Sequence, residues 1–347
     1  MSFSGFPSSK IKAIALLSGG LDSTIAAALI KRAGIDTVGF TVHHLFGGDC
    51  KRTPQIKAAA SAVGIRLIIR DLSEGQLEVV RRPRYGYGAG MNPCIDCRIF
   101  MLKAAKQVMA EEGAQFVVTG EVLGQRPMSQ HYRALMQAAE ESGLEDLLLR
   151  PLSANLLPDT LPVKEGWLER EDLLSLCGRG RREQMALAEE LGIVDYPSPG
   201  GGCILVEKAY SARLRDAFAH HGKDAVGVNE FLLLRYGRHF RLSDRIKVIV
   251  GRDEAENEAL CNLAPGRILI EPLGVMGPTT LIEGDPVDDE LGLAAALAAR
   301  YCDHSDDSHV SFRLLRPGAG EETAGETIIA TPLSADDPRI SSWRISP

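Results

Sequence analysis

From Lys12 onward, short apolar runs alternate with stretches of helical periodicity, the pattern of βαβ units that build a parallel sheet. Strands are expected at residues 12–17, 37–44, 66–72, 115–121 and 147–152. Helices are expected at 23–33, ended by Gly34, and at 53–63, where Thr53 suits an N-cap and Pro54 the first helical position. Residues 71–93 carry Gly, Arg and Tyr without clean periodicity and are read as a long loop over the carboxyl edge of the sheet, where such folds bind ligands. Helical periodicity returns at 168–177 and 181–191, before a turn-rich segment that ends at Cys203. Residues 1–222 are therefore expected to form an α/β domain, an open parallel sheet with helices on both faces.

Beyond Val226 the texture changes to short β-like runs at 239–242, 246–250 and 268–271, with helices at 253–263 and 288–301. Residues 223–347 are read as a smaller α+β domain, in which 318–347 show few periodic features. Composition fits this reading, because 45% hydrophobic and 24% charged residues are ordinary for a globular chain. The N-terminal ten residues lack an apolar core, and no run is long and uncharged enough to span a bilayer, so a cytoplasmic protein without membrane contact is expected. The sequence is silent on oligomeric state.

The net charge of −7 is unevenly spread: residues 208–252 hold ten Lys/Arg against four Asp/Glu, whereas 283–307 hold eight acidic residues and one Arg. Arg235, Arg238, Arg241, Arg245 and Lys247 are interleaved with Tyr236, His239 and Phe240, a mixture that could neutralise phosphates and stack on unpaired bases. A solvated charged face on a β-rich domain is almost as good a reading.

The most specific signal follows the first strand. In Ser18-Gly19-Gly20-Leu21-Asp22-Ser23 the glycines permit close backbone approach, and the loop and helix N-H groups converge where an anion can sit. Ser18 and Ser23 can donate to phosphate oxygens, while Asp22 suits a divalent cation. A plain strand-turn-helix junction would need less than this six-residue order. The seven cysteines form an odd set in a chain without a secretion signal, which favours thiol chemistry over disulfides. Cys94 and Cys97 start a helix, whose N-terminus favours thiolate, and Cys203 follows three glycines. Three cysteines suit a [4Fe-4S] cluster with one open iron or a persulfide relay. Cys177, Cys261 and Cys302 are expected to be buried hydrophobes and Cys50 a bystander.

The six-residue loop resembles the pyrophosphate loop (PP-loop) of the adenine nucleotide α-hydrolase superfamily, whose domain is HUP-like. Val118-Thr-Gly-Glu121, Leu123-Gly-Gln125, Ser129-Gln130 and Leu149-Arg-Pro-Leu152 are similar to the tRNA 4-thiouridine synthetase family. Asn92-Pro-Cys94-x-x-Cys97 with the later Cys203 resembles the tRNA 2-thiouridylases. Together these motifs cover roughly residues 10–210. The resemblance implies that Ser18, Gly19, Gly20, Asp22 and Ser23 bind ATP phosphates with Mg²⁺, with Asp22 holding the metal, and that Thr119, Gly120, Glu121, Gln125 and Gln130 line the nucleotide and the target base. Cys97 and Cys203 would handle sulfur, and the extra Cys94 matches the iron-sulfur-dependent enzymes, which favours a [4Fe-4S] cluster on Cys94, Cys97 and Cys203. The C-terminal domain resembles an RNA-binding domain of the NFACT group. The implied activity is ATP-dependent thiolation of tRNA or another RNA, forming AMP and pyrophosphate, with sulfide or a carrier protein as sulfur donor. The rivals are ATP-dependent amidation, sulfur transfer to a small molecule, and a non-catalytic RNA-binding adaptor.

Overall fold

The computed structural model of the chain describes residues 11–43, 45–46, 52–197, 203–303, 309–318 and 326–346. It divides into two compact units, 1–204 and 205–347. The expected strand residue His44, the bystander Cys50 and the glycines before Cys203 lie outside the described residues.

The first unit runs β1 (Lys12–Leu16), α1 (Leu21–Arg32), β2 (Asp36–His43), α2 (Arg52–Val63), β3 (Arg66–Asp71), α3 (Ser73–Arg81), α4 (Cys94–Glu111), β4 (Phe116–Val118), α5 (Tyr132–Ser142), β5 (Leu148–Leu149), α6 (Leu161–Lys164) and α7 (Arg182–Glu190). All strand pairs are parallel, in the order β3-β2-β1-β4-β5. Period-2 alternation decides which helices cover which face. Ala13, Ala15, Phe116 and Val118 pack with α1, α2 and α7. Ile14, Val117 and Leu148 pack with Ile99, Leu102 and Ala105 of α4 and with Ala138 of α5. Both faces being covered, the strands are apolar throughout, which is why they were legible as apolar runs. The chain leaves β1 toward β2 on one side and returns to β4 on the other. The β1/β4 boundary is thus the topological switch point, where open α/β sheets bind ligands at their carboxyl ends.

Two local expectations change. Residues 71–93 are not all loop, because α3 forms within them and buries Gln76, Leu77 and Val80 on one side. Residues 168–177 are not a helix: one 3-10 turn at Arg170–Asp172 is followed by extended chain, with Cys177 in an isolated parallel bridge to Leu123.

The second unit contains α8 (Lys208–His221), α9 (Val228–Leu233), β6 (Arg238–Arg241), β7 (Lys247–Val250), α10 (Glu254–Asn262), β8 (Ile268–Leu273), β9 (Thr280–Glu283), α11 (Asp288–Ala299), β10 (Val310–Leu315), β11 (Glu326–Ala330) and α12 (Pro338–Trp343). Its strands form one antiparallel sheet in the order β11-β10-β8-β9-β7-β6. One face packs Val248, Ile270 and Ile282 against Leu291, Ala294 and Ala298 of α11. The other packs Ile249, Leu269 and Leu281 against Leu233 and Leu260. Helix α8, placed before the boundary by the sequence, lies in this unit: the Tyr210 hydroxyl donates to the Phe231 carbonyl at 2.9 Å, and Arg241 pairs with Asp216 at 2.6 Å. Cys302 is buried, as expected, whereas Cys177 and Cys261 are exposed. Among the described residues no helix is long and apolar enough to cross a membrane.

Candidate nucleotide and thiol site

The loop after β1 is closed by its own side chains. The Ser18 N-H donates to Ser23 Oγ at 3.2 Å, while the hydroxyls of Ser23 and Thr24 donate to the Gly20 carbonyl at 2.9 and 3.0 Å. Gly19 has φ +72°, and a Cβ there would meet Ile56 Cγ1 at 3.0 Å and its backbone nitrogen at 3.2 Å, so α2 supports the loop from behind. No side chain caps α1, which leaves its first-turn N-H groups available to an anion. Strand β4 brings the second segment in. A Cβ on Gly120 would lie 2.5 Å from the carbonyl carbon and oxygen of Asp22 and from the nitrogen of Ser23. Gly120 therefore packs directly against the loop backbone.

Asp22 is the polar centre of this junction. Gln125 Nε2 donates to Oδ2 at 3.1 Å, and Oδ1 is buried with no hydrogen-bond partner. Burial pushes the Asp22 carboxyl up, against the pull of the Gln125 hydrogen bond and of the Arg181 and Arg126 charges. A carboxylate with one satisfied and one orphaned oxygen fits a hard divalent cation. Gln130 is buried and closes the neighbouring turn: its N-H donates to the Arg126 carbonyl at 2.9 Å and its own carbonyl accepts from Gly124 at 2.7 Å. Glu121 is 2% exposed. Arg150 Nε donates to Oε2 at 2.9 Å, Thr119 donates to the same oxygen at 3.1 Å, and Arg98 Nε stands 3.0 Å from Oε1. Burial would raise this carboxyl, but Arg98 and Arg150 bring it below the usual range. Glu121 thus anchors β4 to α4 and β5 and offers no exposed edge to a target base.

Cys94 and Cys97 occupy the first turn of α4, where the Cys97 N-H donates to the Pro93 carbonyl at 2.9 Å. Asp96 accepts from the N-H groups of Arg84 and Tyr85 at 2.9 and 3.1 Å and pins the preceding loop over this turn. The helix N-terminus was expected to lower both thiols, but burial wins and pushes both up. Arg126 and Arg98 pull Cys94 the other way, and for Cys97 the opposing pull comes first from Gln76, whose Nε2 donates to Sγ at 3.3 Å. The Arg126 charge thus favours the ionised form of both Asp22 and Cys94. Cys203 is half-buried and carries no disulfide, and the next residue's N-H donates to the Phe46 carbonyl at 3.4 Å. Among the described residues no three His, Cys, Asp or Glu side chains are arranged to hold one metal ion. Cys94, Cys97 and Cys203 are each half-buried and carry no disulfide, and desolvation keeps the first two as raised-pKa thiols.

Part of the expected RNA-stacking stripe of the second unit is internal, while Arg235, Tyr236 and Arg238 are half-buried. His239 and Phe240 are buried, Lys247 is 1% exposed with Nζ 3.2 Å from Glu283, and Arg241 is bonded to Asp216. Arg238 lies over the Tyr301 ring and donates to the Gly251 carbonyl at 3.0 Å. Arg245 is exposed. Arg126 and Arg181 had no place in the sequence reading, although Gly178-Arg179-Gly180-Arg181-Arg182 is visible there as a basic, glycine-spaced run.

Residues 8–155 match the family model described as thiamine biosynthesis protein (ThiI), and residues 237–344 match the NFACT protein RNA binding domain. The chain is 29% identical over 247 residues to a tRNA-specific 2-thiouridylase, MnmA, of Xanthobacter autotrophicus, covering 66% of this chain and 59% of that protein. It is 29% identical over 202 residues to a probable tRNA sulfurtransferase of Methanothermobacter thermautotrophicus, covering 56% of this chain and 44% of that protein. The chain thus spans less than two thirds of the length of these relatives. The solved U34-tRNA thiolase NcsA of Methanococcus maripaludis, with its [4Fe-4S] cluster, aligns over 65% of this chain and 73% of that one at 19% identity and a TM-score of 0.31. The loop at the switch point and the Gly120 segment against it lie within the part of the chain that matches the ThiI model, the second unit's sheet lies within the part that matches the NFACT RNA binding domain, and over these parts the chain is similar to tRNA 2-thiouridylases and tRNA sulfurtransferases.

Proposed function

We propose that this chain is an ATP-dependent tRNA sulfurtransferase of the cytosol. Ser18 to Ser23 and the N-terminus of α1 bind the ATP phosphates, and Gly120 fixes the loop's position. Asp22 and the loop hydroxyls would hold Mg²⁺, which supplies charge neutralisation for the departing pyrophosphate. A uridine carbonyl oxygen attacks the α-phosphorus, pyrophosphate leaves, and the oxygen becomes part of an AMP leaving group. The terminal sulfur of a Cys97 persulfide, loaded by a sulfur donor, then attacks the activated carbon and expels AMP. The Cys203 thiol attacks the Cys97 sulfur, releases thiouridine, leaves a Cys97–Cys203 disulfide, and an external thiol reduces it. No step is routed through an iron-sulfur cluster.

The observation that supports this reading is the close packing of Gly120 on the Asp22–Ser23 backbone at the switch point. The test has two parts. Mass spectrometry of tRNA nucleosides from the host with and without this gene should show loss of one thiolated uridine, and unchanged nucleosides would overturn the assignment to tRNA. Purified Asp22→Ala protein should lose ATP–pyrophosphate exchange, and full exchange would remove Asp22 from the site.

A further inference from the structure

We infer that Arg126 and Arg181 form a second phosphate-binding element, an arginine clamp that closes on the pyrophosphate end of ATP opposite the glycine loop. The inference rests on the reading of residues 18–23 as an ATP phosphate loop and is independent of the acceptor of the reaction. The two arginines come from segments far apart in sequence that the fold stitches together. The Leu123 N-H donates to Ser153 Oγ at 2.9 Å, and that hydroxyl donates to the Leu176 carbonyl at 2.6 Å. The Gly178 N-H donates to the Leu123 carbonyl at 2.7 Å, beside the parallel bridge from Leu123 to Cys177. Gly124 sits in the left-handed region at φ +75°, where an added Cβ would be 3.4 Å from the Gly178 nitrogen. The segment that hands Gln125 to Asp22 is therefore bound directly to the segment that leads into Arg181.

The charges around this junction are unbalanced. The first unit neutralises other arginines: Arg98 and Arg150 share Glu121, and Arg170 pairs with Asp159. Arg126 and Arg181 make no salt bridge among the described residues, and Nε of Arg181 is buried with no hydrogen-bond partner. Both act on Asp22, and a single half-buried carboxylate cannot balance two guanidiniums. Two uncompensated forks beside a helix N-terminus with free N-H groups match a diphosphate, whose oxygens accept bidentate bonds. A nucleic-acid phosphodiester has the same chemistry, and the exposed Arg179 and Arg182 extend the basic run outward. The Gln125 hydrogen bond to Asp22 sets Arg126 next to the glycine loop, and the Leu123–Gly178 bond brings the Arg181 segment to the same junction, which favours the diphosphate.

The test is calorimetric titration of the full chain with inorganic pyrophosphate and Mg²⁺, with adenosine, and with unmodified tRNA. Arg126→Gln and Arg181→Gln should each weaken pyrophosphate binding about tenfold, the expected loss of one charge-assisted pair, while adenosine binding stays unchanged. Arg126 is exposed, so its substitution leaves folding intact, and Arg181→Lys, which keeps charge but loses the fork, should fall between wild type and Gln. Wild-type pyrophosphate affinity in the double variant would overturn the clamp, as would an equal loss for adenosine. A fall in tRNA affinity alone would assign the arginines to RNA and overturn it too. Wild-type pyrophosphate binding with no thiolated nucleoside in the host would refute the thiolation reading and leave the clamp standing.

Discussion

Gly120→Ala is the sharpest single test of how the site is built. Gly120 does not adopt a left-handed conformation, so alanine brings no backbone strain, and its whole effect must come from the new methyl. That methyl would sit 2.5 Å from three backbone atoms of Asp22 and Ser23, where ordinary contacts are about 3.5 to 4 Å. Strand β4 and the start of α1 must therefore separate by about 1 Å, an overpacking cost of roughly 1 to 3 kcal/mol. Both sides are backbone and no side-chain rotamer can absorb the shift. A displacement of about 1 Å in a positioned phosphate loop costs on the order of 100-fold in turnover. We expect Gly120→Ala to remain folded, melt about 2–4 °C lower per kcal/mol lost, and lose about two orders of magnitude in ATP–pyrophosphate exchange. Gly292→Ala is the control: its methyl meets nothing within 4 Å on α11, so it should be neutral or more stable by up to about 1 kcal/mol. A Gly120→Ala protein with wild-type melting and exchange would refute the claim that β4 holds the loop by direct contact.

Two further predictions concern titration. Glu283 lies between Lys247 and Arg267; burial would raise it, yet the two cations hold it down to about 2 from an ordinary 4.5. A depressed carboxyl stabilises fully above about pH 4.5 and loses that contribution as pH falls toward 2, a ceiling of roughly 3 kcal/mol because burial of Lys247 opposes it. Glu283→Gln should destabilise the second unit by about 3–5 kcal/mol at neutral pH and flatten its acid transition in denaturant titrations; an unchanged pH slope would reject the network. For Cys97 the sign is reversed: burial raises the thiol, so thiolate is scarce at pH 7 and grows only above the ordinary thiol range near 8.5. Peptide-resolved iodoacetamide labelling of the native protein should find half-buried Cys97 slower than exposed Cys177 at pH 7, and faster labelling of Cys97 would contradict its raised pKa.

The parallel sheet was legible because its strands are buried on both faces and read as unbroken apolar runs between glycine-ended helices. The loop was legible because six chemically constrained residues are contiguous. What could not be read was each group's partner. Glu121 sits in a motif with Thr119 and Gly120, and nothing local says that Arg150, 29 residues on, will enclose it. The thiols of α4 were assigned a low pKa from the helix N-terminus alone, a local effect. The opposing desolvation comes from the tertiary packing around that turn, and Gln76, 21 residues earlier, donates to the Cys97 sulfur and offsets only part of it. The tertiary term is the larger one here.

The same reasoning explains why a basic stripe in sequence does not say which of its charges are available. A run of arginines and lysines in sequence measures composition, whereas binding an anion needs charge that the fold has not already neutralised. In β6 and β7 the sheet is covered on both faces, so alternate positions that would have been solvent-facing in a one-sided sheet are interior. Lys247 there must take Glu283, and Arg241 takes Asp216, because an unpaired charge in that setting would cost several kcal/mol. Those cations are already committed before any RNA arrives. Arg126 and Arg181 attract no notice in sequence because they stand outside any periodic pattern, yet they keep their charge beside the phosphate loop. If the second unit binds RNA as proposed, phosphate contact would fall to exposed groups such as Arg245, while His239, Phe240 and Lys247 support the sheet.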